Sequence, residues 1–289
     1  MGSIVKTEAE NGNLPILDPG DTLGDWLIYE ELGRGAFAAV YLVGRNPDCK
    51  KEGENSAEQF AMKVELQSLG FLSNLKMDVA VLRLAKKHLK TSFCNNVDAG
   101  RCKPYQETQL NFLVMTRVGN DLDQLRNLRP EKKFSLACAL YIGKEVLSAI
   151  EQLHSLGFLH RDIKPMNFAV DYETQQRILI FDFGLCRAFR DDKGRIKLPR
   201  ETSGFKGTLR YASLNSHMGR ELSRRDDLES FFYQQIEFTN GTLPWRTAQT
   251  PQKALLLKER SRFGDARDDM LRGCPAAYAV ILGIIDRTL

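Results

Sequence analysis

His160-Arg161-Asp162-Ile163-Lys164-Pro165-Met166-Asn167, followed by Asp182-Phe183-Gly184, decides how the rest of this chain is read. Together the stretches hold an aspartate, a lysine, an asparagine and a second aspartate at the spacing that phosphoryl transfer from ATP requires. In that reading Asp162 orients the attacking hydroxyl, Lys164 neutralises the moving phosphate, and Asn167 and Asp182 ligate magnesium. Phosphate repels an incoming nucleophile, so the protein's contribution is positioning and positive charge. A charged loop at a helix end would not bring all four residue types together. His160 reads as structural, packing on Phe183, and Arg161 as reaching the segment beyond.

Bulk properties are those of a globular protein. The 289 residues suffice for one large domain or two lobes with a sizeable core. Charged residues make up 27% and hydrophobic ones 43%, which argues against disorder. A formal net charge of +4 is too weak to imply a nucleic-acid partner. The six cysteines form no Cys-x-x-Cys pair, so neither a zinc site nor a disulfide framework is expected. That points to a reducing compartment, cytoplasmic and/or nuclear. No run of about 18 apolar residues occurs, and the first residues lack a signal-peptide core, so no membrane partner is expected. Met1-Gly2 opens like a myristoylation site, but Lys6 stands where Ser or Thr is wanted.

Residues 1–21, rich in Gly, Asn, Asp and Pro, read as a loose leader. Trp26-Leu27-Ile28-Tyr29, Ala39 to Val43 and Phe60 to Val64 are short apolar runs between turn signals, as in an antiparallel sheet. Arg45 to Glu58 is a solvated connection. Leu75 to Leu89 has helical spacing with a basic outer face, and Phe112 to Met115 is another buried strand. Beyond Asn120 helices dominate. Leu136, Leu140, Leu147 and Ile150 mark the inner face of one. Leu228, Phe231, Phe232, Ile236 and Phe238 mark a more apolar, central one. The expected fold class is α+β: a β-rich lobe over residues 22–115, a joint at 116–119 and an α-rich lobe over 120–289, with a ligand cleft at the joint.

Further signals fall in order along the chain. Gly33-Arg34-Gly35-Ala36-Phe37-Ala38-Ala39-Val40 can bring backbone close to phosphate, with Val40 over the adenine. Ala38 replaces the usual third glycine, and alone this loop is also what an ordinary hairpin looks like. Ala61-Met62-Lys63 supplies a lysine for the α- and β-phosphates. Its acidic partner is expected to be Asp78, one methylene shorter than the usual glutamate. Their ion pair is then longer, water-bridged, or made by a closer helix; Glu65 is the alternative partner. Gly207-Thr208 places a hydroxyl able to bridge Asp162 and Lys164, which goes with serine or threonine acceptors. Asp227 would be a costly buried charge unless it accepts backbone hydrogen bonds, and is expected to anchor the catalytic loop.

These residues resemble a eukaryotic protein kinase of the casein kinase 1 group. Arg210-Tyr211-Ala212-Ser213-Leu214-Asn215-Ser216-His217 stands where most kinases carry Ala-Pro-Glu and is similar to that group's Ser-Ile-Asn signature. Gly157 to Phe168, Gly204 to Thr208, Leu75 to Leu82 and Gly241 to Arg246 resemble the tau-tubulin kinase branch, whereas Ser223 to Ser230 looks more like casein kinase 1 itself. The resemblance implies a two-lobed fold, ATP and Mg2+ as cofactors, serine or threonine in protein as acceptor, and a monomer. It places the gatekeeper at Met115, the adenine hinge at Thr116 to Val118, a ribose contact at Asp121 and the adenine floor at Ala169. Lys206 and Arg210, with Arg224 and Arg225 nearby, would form a substrate anion site favouring acidic or phosphorylated proteins. Lys253 and Lys258 lie only near the position of the lysine that completes it. The family's last helix is not matched, so Val280, Ile281, Ile284 and Ile285 are expected to lack cover. A pseudokinase is the alternative that Ala38 and Asp78 raise. A small-molecule kinase is opposed by Thr208 and the segment through Asn215.

Overall fold

The structure, a computed structural model, describes residues 14, 16–35, 38–49, 58–66, 74–103 and 109–288. Its chain divides into two units, Met1–Lys87 with Cys94–Val118, and His88–Phe93 with Gly119–Leu289.

In the first unit β1 (Thr22–Leu23), β2 (Trp26–Arg34), β3 (Ala38–Arg45) and β4 (Phe60–Leu66) precede α1 (Asn74–Lys87), β5 (Asn96–Cys102) and β6 (Leu110–Thr116). The strands form one antiparallel sheet in the order β1-β2-β3-β4-β6-β5. Successive side chains on a strand point to opposite faces, and this sorts the sheet. Ala39, Tyr41, Val43, Phe60, Met62, Val64, Phe112 and Val114 join Trp26 and Ile28 in the core. Burying side chains of this size stabilises by roughly 1.5–3 kcal/mol each. The intervening residues take the other face, where Val40 lies opposite Lys63 and Ala61 opposite Met115.

One expectation is corrected here. The leader does not extend to residue 21: Leu17 is buried in this core, the Gly20 N–H donates to the Ile28 carbonyl in β2, and the Ile28 N–H donates to the Asp21 carbonyl. An apolar side chain beside a sheet face is drawn in whatever the composition around it. Residues 1–13, with the Met1-Gly2 and Lys6 reading, lie outside the described residues, as do Ala36, Phe37 and most of the Arg45 to Glu58 connection. Strand β5, Asn-Val-Asp-Ala-Gly-Arg-Cys, went unread because it is polar; its place at the sheet edge leaves it half-buried.

The second unit begins with β7 (Val118–Asp121), which straddles the division, and continues with α2 (Leu122–Asn127) and α3 (Leu136–Ser155). Short strands β8 (Phe158–Leu159), β9 (Phe168–Asp171), β10 (Ile178–Ile180) and β11 (Arg187–Ala188) follow, then α4 (Leu214–His217), α5 (Arg224–Asn240), α6 (Pro251–Arg260), α7 (Gly264–Met270) and α8 (Ala277–Arg287). Ser135 starts α3 by accepting the Cys138 N–H, the usual relief for an unpaired helix end.

The inner face of α3 is not the leucine stripe. Leu136, Leu140 and Leu147 are exposed, while Ala139, Gly143, Val146, Ala149, Ile150 and Leu153 are buried. Small residues win because α5 passes close: a Cβ on Gly143 would stand 2.6 Å from Gln235 Oε1. Helix α5 is central, but Leu228 and Phe231 are only half-buried and four carboxylates, Asp226, Asp227, Glu229 and Glu237, are buried with Phe232, Ile236 and Phe238. Each has donors: Ser213 and Ser223 for Asp226, the His160 and Arg161 N–H groups for Asp227, the Leu214 N–H, Tyr233 and Arg262 for Glu229, and Tyr211 and Arg210 for Glu237. Such donors offset the cost of burying a carboxylate, and those of Glu229 all fall on Oε1. On α8, Val280, Ile281 and Ile284 are exposed and Ile285 is buried.

Candidate active site

In the first unit, register brings the expected nucleotide residues together. Gly33 pairs with Val40, and Val40 with Lys63, across three adjacent strands. The Gly35 N–H donates to the Ala38 carbonyl at 2.8 Å. Lys63 Nζ meets Asp78 Oδ2 at 2.9 Å, and both side chains are largely buried. Helix α1 comes near enough for direct contact because Glu65, on the same sheet face, accepts the Leu75 N–H at 3.2 Å. Glu65 also accepts from the Asn111 amide, so it sets the helix start. Arg34 pairs with Ala39 in register, on the core face, and its guanidinium binds Glu31, Tyr41 and the Leu14 carbonyl, so its backbone is the part on offer to a nucleotide. Met115 and Thr116 end β6, where Thr116 Oγ1 accepts the Asn95 N–H at 3.1 Å.

In the second unit, Asp162 is held at both oxygens. Lys164 Nζ donates to Oδ2 at 2.6 Å and the Thr208 hydroxyl to Oδ1 at 2.8 Å. The expected bridge thus runs through the Asp162 carboxylate, with one partner on each oxygen. Gly207 is required here. Its φ is +96°, and a Cβ would stand 2.8 Å from the Arg161 carbonyl oxygen.

The loop itself hangs on Asp227, whose Oδ2 accepts the His160 N–H and Oδ1 the Arg161 N–H, each at 2.8 Å. His154 Nε2 adds a contact to Oδ2 at 2.8 Å. Burial raises the Asp227 carboxyl, but the bond and charge of His154 and the His160 contacts outweigh it and hold the group below its ordinary value. These bonds keep Arg161 in the left-handed backbone region at φ +69°, which a non-glycine residue occupies only when its surroundings insist. The Arg161 guanidinium donates to the Leu185 carbonyl at 2.6 Å, and the His160 ring packs edge-on against Phe183.

A hairpin joins the two candidate metal ligands. Strands β9 and β10 pair antiparallel with Phe168 opposite Ile180, and one step further the Phe181 N–H donates to the Asn167 carbonyl at 3.1 Å. Asp182 follows directly, exposed, with φ +63°. The Asn167 amide nitrogen donates to the Asp162 carbonyl at 2.8 Å, which leaves its side-chain oxygen as the group able to ligate. Carboxylate and amide oxygens suit a hard cation such as Mg2+. Among the described residues no cluster of three or more His, Cys, Asp or Glu offers another metal site.

Other assignments take on local duties. Asp121 caps α2 in a reciprocal capping box with Gln124, and burial raises its carboxyl despite those bonds. Ala169 is fully buried in β9, paired with Leu179. Lys206 is half-buried, its backbone tied to Ser216. Arg210 leans on buried Glu237 at 3.5 Å, so this arm of the expected anion site is already partly neutralised. Lys258 is buried and turned inward, which removes it from that site. Cys186 is buried and forms no disulfide. Sequence reading missed His154, whose role shows only when α3 and α5 pack. No helix among the described residues is long and apolar enough to cross a membrane.

The protein kinase domain family matches residues 26–265, and the chain belongs to that family. Such domains in general use ATP with a divalent cation. A probable serine/threonine-protein kinase of Dictyostelium discoideum is 36% identical over 265 residues, 89% of this chain and 48% of that protein. The serine/threonine-protein kinase spe-6 of Caenorhabditis elegans is 36% identical over 267 residues, 91% of this chain and 66% of that protein. The chain thus spans about half to two thirds of the length of these relatives.

Proposed function

We propose that the protein transfers the γ-phosphate of ATP to serine or threonine hydroxyls in proteins. The observation that carries this is the Asp162 carboxylate, fixed by Lys164 at 2.6 Å and Thr208 at 2.8 Å on a loop anchored by Asp227. Asp162 accepts the acceptor's proton and aims its oxygen, and Lys164 screens the charge that grows on the transferring group. Asn167 and Asp182 would hold Mg2+, which would supply positive charge to screen the phosphates. Lys63, kept in place by Asp78, grips the α- and β-phosphates, with Gly33, Gly35, Val40, Ala61, Met115, Thr116, Val118, Asp121 and Ala169 around the rest of the nucleotide. The named activities of both relatives support this reading.

The branch we infer is the casein kinase 1 group, nearest the tau-tubulin kinases, on the strength of the segment from Gly204 to His217. A preference for acidic or phosphorylated substrates is supported by Lys206 and Arg210 beside Thr208, and weakened by the Arg210–Glu237 pair. The pseudokinase alternative loses one of its two motives, because Lys63 and Asp78 meet directly.

The test is incubation with casein, labelled ATP and Mg2+, beside an Asp162→Asn control. Incorporation well above the control is expected; incorporation no higher than the control rejects the activity on that substrate.

A further inference from the structure

Lys258, on α6, is fully buried, yet no part of the proposed chemistry uses it. Its Nζ donates to the Leu209 carbonyl at 3.0 Å and the Ala212 carbonyl at 2.6 Å, and meets His217 Nε2 at 3.0 Å. An ammonium has three N–H bonds, and three acceptors face them. Burial, then the nearby Lys258 charge, pulls His217 down to about 4, so its imidazole is neutral and able to accept. The ring faces of Tyr233 and Trp245 lie 5.0 and 5.4 Å from Nζ, a further support for positive charge. Burial opposes these contacts and draws the ammonium down to about 7, with Glu229 countering it and Arg262 adding to it.

The two carbonyl acceptors belong to one turn. The N–H groups of Tyr211 and Ala212 both donate to the Thr208 carbonyl, at 2.9 and 2.8 Å. Trp245 Nε1–H takes the Arg210 carbonyl at 2.7 Å. Side-chain donors from outside the turn therefore hold the carbonyls of Leu209, Arg210 and Ala212. The same turn starts at Thr208, whose hydroxyl lies on Asp162. Backbone carbonyls satisfied this way cannot rotate without leaving a buried group unpaired, which is costly.

We propose that Lys258 is a positioning residue for the acceptor protein: its ammonium pins the Leu209 and Ala212 carbonyls, and through that turn it sets Thr208 against Asp162. The inference rests on the kinase reading above. A lysine from a helix remote in sequence thus shapes the segment that presents the acceptor hydroxyl, without touching nucleotide or substrate.

Lys258→Met keeps the length and apolar stem and removes the donors. Wild type and variant are compared at about pH 6, below the value of about 7 to which burial draws the ammonium, varying casein and ATP separately and recording melting temperatures. We expect kcat/KM for casein to fall roughly tenfold or more with a raised KM, while KM for ATP stays within about twofold. A fall in kcat with both KM values unchanged, the mark of a smaller folded fraction, overturns the proposal. Should Lys258→Met not fold, Lys258→Gln is read the same way, because its amide nitrogen is uncharged and one bond short of the Nζ position and cannot hold both carbonyls at 3.0 and 2.6 Å; a raised KM for casein supports the clamp, and an unchanged one overturns it. Wild-type transfer no greater than that of Asp162→Asn would instead remove the kinase reading and this inference with it. That outcome is distinct from an active enzyme indifferent to Lys258.

Discussion

Lys63 Nζ and Asp78 Oδ2 lie 2.9 Å apart, in direct contact despite the aspartate being one methylene shorter than the usual glutamate. The difference is made up by the helix, whose start is tied to Glu65 on the same strand as Lys63. The acid and the backbone that carries it have adjusted together.

Sequence alone expects Asp78→Glu to leave activity equal or higher. The structure reverses that, because Asp78 is buried and the added methylene must be accommodated in packed surroundings. Overpacking of this kind costs about 1–3 kcal/mol. Differential scanning fluorimetry should show a Tm lower by roughly 2–6 °C, and steady-state kinetics a raised KM for ATP. No change in either would mean α1 can retreat freely.

Lys63→Met should abolish phosphotransfer. It also leaves the Asp78 carboxylate in a site only 4% exposed without its lysine, so stability should fall by more than the loss of a surface pair would cause, about 3 kcal/mol. Adding Asp78→Asn should recover most of the melting temperature and none of the activity. If the double variant melts no higher than the single, the pair is not coupled through charge.

Asp227 predicts a pH signature. Its native carboxyl lies below the ordinary 3.8, so its contribution is full above the unfolded value and is lost as pH falls through the native one. At neutral pH Asp227→Asn should cost about 3 kcal/mol. The gap in Tm between wild type and variant should narrow as pH drops below 3.8. A gap that stays constant into acid would show that the charge of Asp227 is not what anchors the loop.

Gly143→Ala tests the close pass of α3 and α5. The new methyl would stand 2.6 Å from Gln235 Oε1, while the Gln235 amide nitrogen is held by the Ala139 carbonyl and Tyr278 hydroxyl. Despite alanine's better helix propensity, the variant should lose about 1–3 kcal/mol. Thermal melts measure this, with KM values unchanged; a variant as stable as wild type would show that Gln235 can swing aside.

Much of the chemistry was legible along the chain because it depends on residue type and short spacing. Asp162, Lys164, Asn167 and Asp182 lie in two short stretches, and a period of two along β3 and β4 already puts Val40, Ala61 and Lys63 on particular faces. Less was legible where a face depends on what packs against it. Leu136, Leu140 and Leu147 look like an inner stripe, yet Gly143 and its small neighbours were turned inward by α5. Arg34 looked like a nucleotide residue from its place between two glycines, and sheet register turned its side chain to the core side.

The sequence by itself determined the reaction class and the fold class, since motif spacing and hydrophobic period are local properties of the chain. Only the tertiary structure decided that Asp78 reaches Lys63, that Asp227 and His154 suspend the catalytic loop, and that Lys258 turns inward to the Thr208 turn. Each of these joins elements far apart in sequence. Their energies come from burial and hydrogen bonds that exist only once those elements are packed, so residue type could nominate Asp78 and Asp227 but could not show that the contacts form, and it gave no sign of His154 or of the inward turn of Lys258.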